Sequence, residues 1–144
     1  MKFRNATKTD LYFILEGLRE IQGNEAVTDA QPHLENDLFS DSPKAYVSIL
    51  ETVAKPIAFV LYNFGYFARE GQVLWISQAY IAPAYRGKVT RLVQRHIEQL
   101  AQKNDLKHIL FASDKSNEKL SRFWKAKKAR DLGEYFRFWV LKKE

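Results

Sequence analysis

The spacing of apolar residues changes period at Ala45, and no other feature restricts the fold of this chain as much. Residues 45–51, 56–64 and 73–81 are three runs rich in β-branched and aromatic side chains, which predicts three successive strands. The links, residues 52–55 and the stretch 68–72 with Gly71, are short enough for antiparallel hairpins. On either side the period is helical. Before Ala45, a strand candidate at residues 2–6 leads to Thr7 and Asp10 at capping-box spacing, and Leu11, Ile14, Leu15, Leu18 and Ile21 then share one helical face. Gly23 and Asn24 supply that helix's stop, and a shorter helix is expected from near Pro32 through Leu34, Leu38 and Phe39. After Pro83, Val89, Leu92, Val93, His96, Ile97 and Leu100 mark a long helix with His96 on its buried face, and residues 107–112 mark a strand. Leu120, Phe123, Trp124 and Lys127 line a helix beginning near Asn117, a good N-cap residue; residues 135–141 form a closing aromatic strand, with one further short strand near 129–132. The order β-α-α-β-β-β-α-β-α-β predicts an α/β (α+β) fold, a mixed, mostly antiparallel sheet of six to seven strands with helices on both faces.

At 144 residues, with 46% hydrophobic and 14% aromatic side chains, the chain can bury one substantial core, and no repeat or linker interrupts it, so residues 1–144 are expected to form a single domain. The absence of cysteine excludes disulfides, thiolate metal sites and cysteine nucleophiles together. His33, His96 and His108 lack metal-ligand spacing, so no metal is expected. No apolar run approaches the roughly 20 residues that span a bilayer, and the first ten residues have no signal-like core. The expectation is a cytoplasmic protein with no membrane partner. Charge is divided unevenly: residues 1–85 carry 7 Lys/Arg against 10 Asp/Glu, whereas residues 86–144 carry 16 against 7. The basic half suits an anionic partner, either a phosphorylated cofactor or nucleic acid, or it is a solvated surface; nucleic acid ranks last of these.

Several segments carry a family resemblance: Leu38 and Phe39 with Pro43, the run Pro56-Ile57-Ala58-Phe59 followed by Tyr62-Asn63-Phe64, the turn Tyr85-Arg86-Gly87, and the stretch 117–132. In this order they resemble the GCN5-related N-acetyltransferase (GNAT) superfamily over essentially the whole length, and within it the chain is most similar to spermidine/spermine (diamine) acetyltransferases. The resemblance implies an N-acetyltransferase that moves acetyl from acetyl-CoA to a primary amine of a small molecule by direct attack in a ternary complex, working as a homodimer. It places the cofactor carbonyl on main-chain N–H groups near Ala79, Tyr80 and Ile81, and the pyrophosphate on the turn formed by Arg86, Gly87, Lys88, Val89, Thr90 and Arg91. Helix N-termini bind anions through unpaired N–H groups and the dipole, and glycines let the backbone come close. Val89 and Arg91 stand at the two family glycine positions, where a β-branched side chain adds bulk and Lys88 and Arg91 add charge.

The remaining family positions are mixed. Asn117 matches a residue that contacts the pantetheine arm, or it simply caps its helix. Trp124 replaces the usual Tyr acid and serves as a core aromatic or as a wall of the thioester pocket, since an indole N–H donates without releasing its proton near neutrality. Tyr80 and Tyr85 are the nearby phenols, and Tyr80 and Glu25 are carried forward with Trp124 as candidate catalytic residues. Ser77 and Gln78 stand where the diamine enzymes have a Glu-Asp pair, while Glu25 and Glu134 match two other acidic positions of the amine site. The combined departures leave a second reading open, a catalytically lapsed scaffold with a binding or regulatory role.

Overall fold

The computed structural model describes residues 1–113, 118–134 and 141. These fall into two compact units, Met1–Ala112 and Ser113–Glu144.

The first unit is built on a five-stranded sheet in chain order: β1 (Lys2–Asn5), β2 (Tyr46–Glu51), β3 (Pro56–Phe67), β4 (Gly71–Ile81) and β5 (Ile109–Phe111). The first four run antiparallel to their neighbours, and β5 joins β4 in parallel through Leu74↔Ile109, Trp75↔Leu110 and Ile76↔Phe111. Helices α1 (Leu11–Gln22) and α2 (Asn24–Phe39) precede β2, and α3 (Thr90–Lys103) forms the crossover between β4 and β5. Neighbouring residues of β3 serve different cores. Phe59 packs with Ile14, Leu38, Ile49 and Tyr80 beneath α1 and α2, whereas Val60 packs with Leu74, Val93, Ile97 and Ala101 beneath α3. With both faces covered, the strands read as continuous apolar runs such as Ile57-Ala58-Phe59-Val60 instead of alternating.

The structure corrects several boundaries. The second helix starts at Asn24, eight residues before Pro32, which lies inside it. Pro32 removes one backbone donor near the helix middle, a loss a half-exposed helix tolerates because the freed carbonyl can meet water. Val27, Leu34 and Leu38 keep the buried face continuous across it. β3 runs on to Phe67, β1 stops at Asn5, and β5 keeps only three residues. Five strands are present among the described residues, fewer than the six to seven expected. Residues 129–131 form no strand and lead into a 3-10 turn at Leu132–Glu134, while the expected closing strand at 135–141 lies, except for Leu141, outside the described residues.

One polar cluster anchors the start of the chain. Asp10 is 3% exposed, accepts two hydrogen bonds from the Arg4 guanidinium at 2.7 and 2.9 Å and a third from the Thr7 N–H at 2.8 Å. Arg4 also reaches Glu51 at 2.7 Å, so β1, β2 and the entry to α1 share one charge network. His96, expected on the buried face of α3, stacks its ring on Phe3 at 3.8 Å, and its buried Nε2 has no hydrogen-bond partner among the described residues.

The second unit contains α4 (Glu118–Ala126), where Phe123 and Trp124 meet edge to face at 4.9 Å. The carbonyl of Trp124 accepts a bond from the Ala129 N–H at 3.0 Å, closing the helix end over Lys128 in the left-handed region. Among the described residues no helix is long and apolar enough to cross a membrane.

Candidate functional site

The site starts from one extra residue. Leu61 faces Gln78 and Tyr62 faces Ile76, so Ser77 has no partner on β3 and forms a β-bulge, with its hydroxyl donating to the Leu61 carbonyl at 3.3 Å. The bulge has two consequences. It reverses which face each later side chain occupies: Leu74 and Ile76 point to the α3 core, but Tyr80 belongs to the core beneath α1 and α2. It also reverses which backbone groups face β3. Before the bulge, the Leu74 N–H and the Ile76 carbonyl bond to the β5 side, through His108 and Ala112. After it, Ala82 donates to the Ile57 carbonyl of β3, so by alternation Ala79 and Ile81 direct N–H and C=O away from β3. β5 ends its pairing at Phe111, opposite Ile76. Among the described residues no strand pairs with the backbone of Ala79 and Ile81 on that side, which leaves an open edge, and these are two of the three residues expected to hold a carbonyl group.

Gly17 brings α1 down onto this part of the sheet. A Cβ at Gly17 would lie 2.4 Å from the Phe59 ring and 3.0 Å from the Tyr80 ring, so only hydrogen fits there. One turn on, Glu20 reaches the Tyr80 hydroxyl, which donates to its carboxylate at 2.6 Å. Arg86 also donates to Glu20, and its Nε donates to the Ile81 carbonyl at 3.0 Å. Burial, and next the Glu20 carboxylate, push the Tyr80 phenol up to about 12. The hydrogen bond from Tyr80, and then Arg86, hold Glu20 below the usual carboxylate range. Glu20 was not among the residues expected at the site. The signal for it was Gly17, a glycine inside an apolar helical face, which marks a close approach and points to whatever lies one turn away on the same side.

The turn before α3 bonds largely to itself. Tyr85 accepts hydrogen bonds from the N–H groups of Lys88 and Val89 at 3.0 and 3.2 Å, and Gly87 sits at φ +79°, a conformation that favours glycine. Val89 does not add bulk at the anion site as expected. Its side chain is 3% exposed and belongs to the core with Val93 and Ile97. The first helical N–H groups, on Thr90, Arg91 and Leu92, have no carbonyl within the helix to receive them, and Lys88 and Arg91 are exposed beside them. A phosphate group fits this cradle: among the described residues the donors are free, bulk is turned inward and two cations flank it.

Glu25 is exposed in the first turn of α2, and Gln78 is half-buried next to the bulge. Trp124 belongs to α4 of the second unit, Glu134 ends the 3-10 turn there, and Asn117 lies outside the described residues.

Comparison with known proteins identifies the family. Residues 11–127 match the acetyltransferase (GNAT) family. The chain belongs to that family. A thialysine N-epsilon-acetyltransferase of Bos taurus is 24% identical over 144 residues, covering 91% of this chain and 85% of that protein. Among solved structures, an aminoglycoside 6'-N-acetyltransferase, AAC(6')-IG of Acinetobacter haemolyticus, superposes with a TM-score of 0.74 at 13% identity, covering 100% of this chain and 99% of its own. AAC(6')-Iy, solved with the bisubstrate analogue CoA-S-monomethyl-acetylneamine, gives a TM-score of 0.69 at 11% identity, with coverage of 99% and 97%. These structural likenesses establish the GNAT fold. Acetyl-CoA is the acyl donor of GNAT acetyltransferases.

Proposed function

We propose that this GNAT protein transfers acetyl from acetyl-CoA to a primary amine of a small molecule, by direct attack in a ternary complex. The observation that carries the reading is the nearness in the chain of two sets of backbone groups, those of Ala79 and Ile81 facing away from β3 and the N–H groups of Thr90, Arg91 and Leu92 at the start of α3. When bound, the cofactor supplies an acetyl group activated as a thioester. Thr90, Arg91 and Leu92 hold its phosphates by main-chain N–H, with Lys88 and Arg91 adding charge, and the N–H of Ala79 or Ile81 holds the acetyl oxygen where negative charge develops. The chain must also take a proton from the ammonium and return one to the departing sulfur. Tyr80, held by Glu20 and raised to about 12, is a poor donor to a thiolate, whose parent thiol has a pKa of about 8.5. We assign Tyr80 to fixing Glu20 in place and Trp124 to hydrogen bonding or packing. Glu25, exposed beyond the end of α1, is the candidate base acting through water.

Because Lys88 and Arg91 contribute screened side-chain charge, cofactor binding should weaken as salt rises. Arg91→Ala should weaken CoA binding by about two- to fivefold at low salt, the effect of an exposed charge worth up to about 1 kcal/mol, and the difference should vanish at high salt. Tighter binding by the variant in calorimetry would mean that the side chain obstructs the cradle.

The acceptor follows from neutral residues at Ser77 and Gln78. Each unpaired ammonium of a polyamine costs several kcal/mol on burial, so a monocationic, amino-acid-like or thialysine-like amine should exceed spermine and spermidine in kcat/KM by at least about tenfold. An amine panel at one ionic strength tests this. If spermine ranks first, the acceptor assignment is wrong; if no amine is acetylated by folded protein, the lapsed-scaffold reading replaces the enzyme.

A further inference from the structure

We propose that Arg86 and Glu20 form an exchangeable pair joining the two halves of the site: an anion at the start of α3 draws the guanidinium away, and the uncovered Glu20 carboxylate then receives the ammonium of the acceptor. The inference rests on the acetyltransferase reading above and assigns the acceptor's counter-charge to a residue outside every motif that carried the resemblance.

Four observations support it. Arg86 adjoins Gly87 at the anion cradle, yet its guanidinium is spent on the Ile81 carbonyl and on Glu20. By the alternation set at the bulge, that carbonyl belongs to the open edge of β4, so the side chain covers backbone that an amide-bearing cofactor arm would use. The pair is also easily exchanged. Arg86 is 53% and Glu20 38% exposed, and an ion pair this open to water contributes little to stability, unlike Arg4 with the buried Asp10.

Glu20 stays in place when Arg86 leaves. One carboxylate oxygen is held by the Tyr80 hydroxyl at 2.6 Å, and the Tyr80 ring is fixed by Phe59 at 5.5 Å, by Phe13 at 5.8 Å and by α1 at Gly17. The other oxygen, Oε1, is the one that Arg86 occupies. Its release presents a preorganised anionic acceptor beside the open edge, where Ser77 and Gln78 offer no charge. Guanidinium before the exchange and ammonium after it give Glu20 a cationic partner in both end states.

The test is calorimetry with CoA, which cannot transfer acetyl, on the wild type and on Glu20→Gln, each with and without saturating 1-propylamine. Freed of its partner, Arg86 is available to the phosphates, so Glu20→Gln should bind CoA about fivefold more tightly. By linkage, the amine should raise the CoA affinity of the wild type about threefold and leave that of Glu20→Gln unchanged. Equal or weaker CoA binding by Glu20→Gln overturns the proposal and makes the pair a fixed brace. Tighter binding without an amine effect in the wild type overturns the assignment of Glu20 to the acceptor. A wild type that binds no CoA sinks the acetyltransferase reading itself, and this inference with it.

Discussion

Gly17→Val should lower stability by about 3 kcal/mol, the upper part of the range for overpacking a filled core. The contact is between a helix backbone and two rings that cannot retreat: Phe59 is 1% exposed and Tyr80 8% exposed, and they stack on each other at 5.5 Å. A Cβ at Gly17 would meet Phe59 at 2.4 Å, so either α1 lifts or both rings leave their positions. Helix propensity acts the other way, by only about 0.5 kcal/mol. For a chain of this size the melting temperature should fall by roughly 10 °C. Phe59→Leu removes the obstructing ring atoms, so combining it with Gly17→Val should cost clearly less than the sum of the two single changes. Urea denaturation of the four proteins measures this. Additive losses would show that α1 does not press on Phe59. Lifting α1 also separates Glu20 from Tyr80, so Gly17→Val should lose the coupling between CoA and amine even where it remains folded.

Asp10→Ala should cost about 3 kcal/mol, because removing one member of a buried pair strands the other. Arg4 is 30% exposed and keeps Glu51, which holds the loss to the lower end of the range for such pairs. The pH dependence has a definite sign. Hydrogen bonds from Arg4, and further ones from Thr7, hold the Asp10 carboxyl below its ordinary value of 3.8. A depressed native value means that the unfolded chain takes up the proton first as pH falls. The contribution of Asp10 is thus complete above about pH 5 and is lost as pH falls through the lowered native value. The stability difference between wild type and Asp10→Ala should shrink in that window. A difference that stays constant down to about pH 2 would show that the Asp10 pair is not what the acid titrates.

Much of the fold is legible in the chain because local rules and tertiary packing agree there. The change of period at Ala45 marks the antiparallel strands, Thr7 and Asp10 mark the entry to α1, and the helical spacing from Val93 to Ile97 and beyond marks the α3 face, since each element must bury its own apolar side. Where the two levels diverge, the sequence misleads. Pro32 looks like a helix start because its missing N–H costs nothing in a first turn, but the apolar line of buried Val27, half-buried Leu34 and buried Leu38 carries α2 through it. Val89 looks like an obstruction because a position in a motif says nothing about side-chain direction. The turn aims it into the core.

What the sequence determined by itself is the succession of elements as far as α4, the family and the basic second half, all carried by local spacing and residue type. What only the tertiary structure decided is the site's wiring. A single unpaired residue, Ser77, exchanges the two faces of β4 and thereby sends Tyr80 toward α1, and Gly17 lets α1 approach until Glu20 reaches both Tyr80 and Arg86. Glu20, Tyr80 and Arg86 are separated by up to 66 positions in the chain, so no local pattern connects them. A bulge's register depends on the partner strand, and a close approach depends on what lies across the gap, and neither is a property of the residues alone.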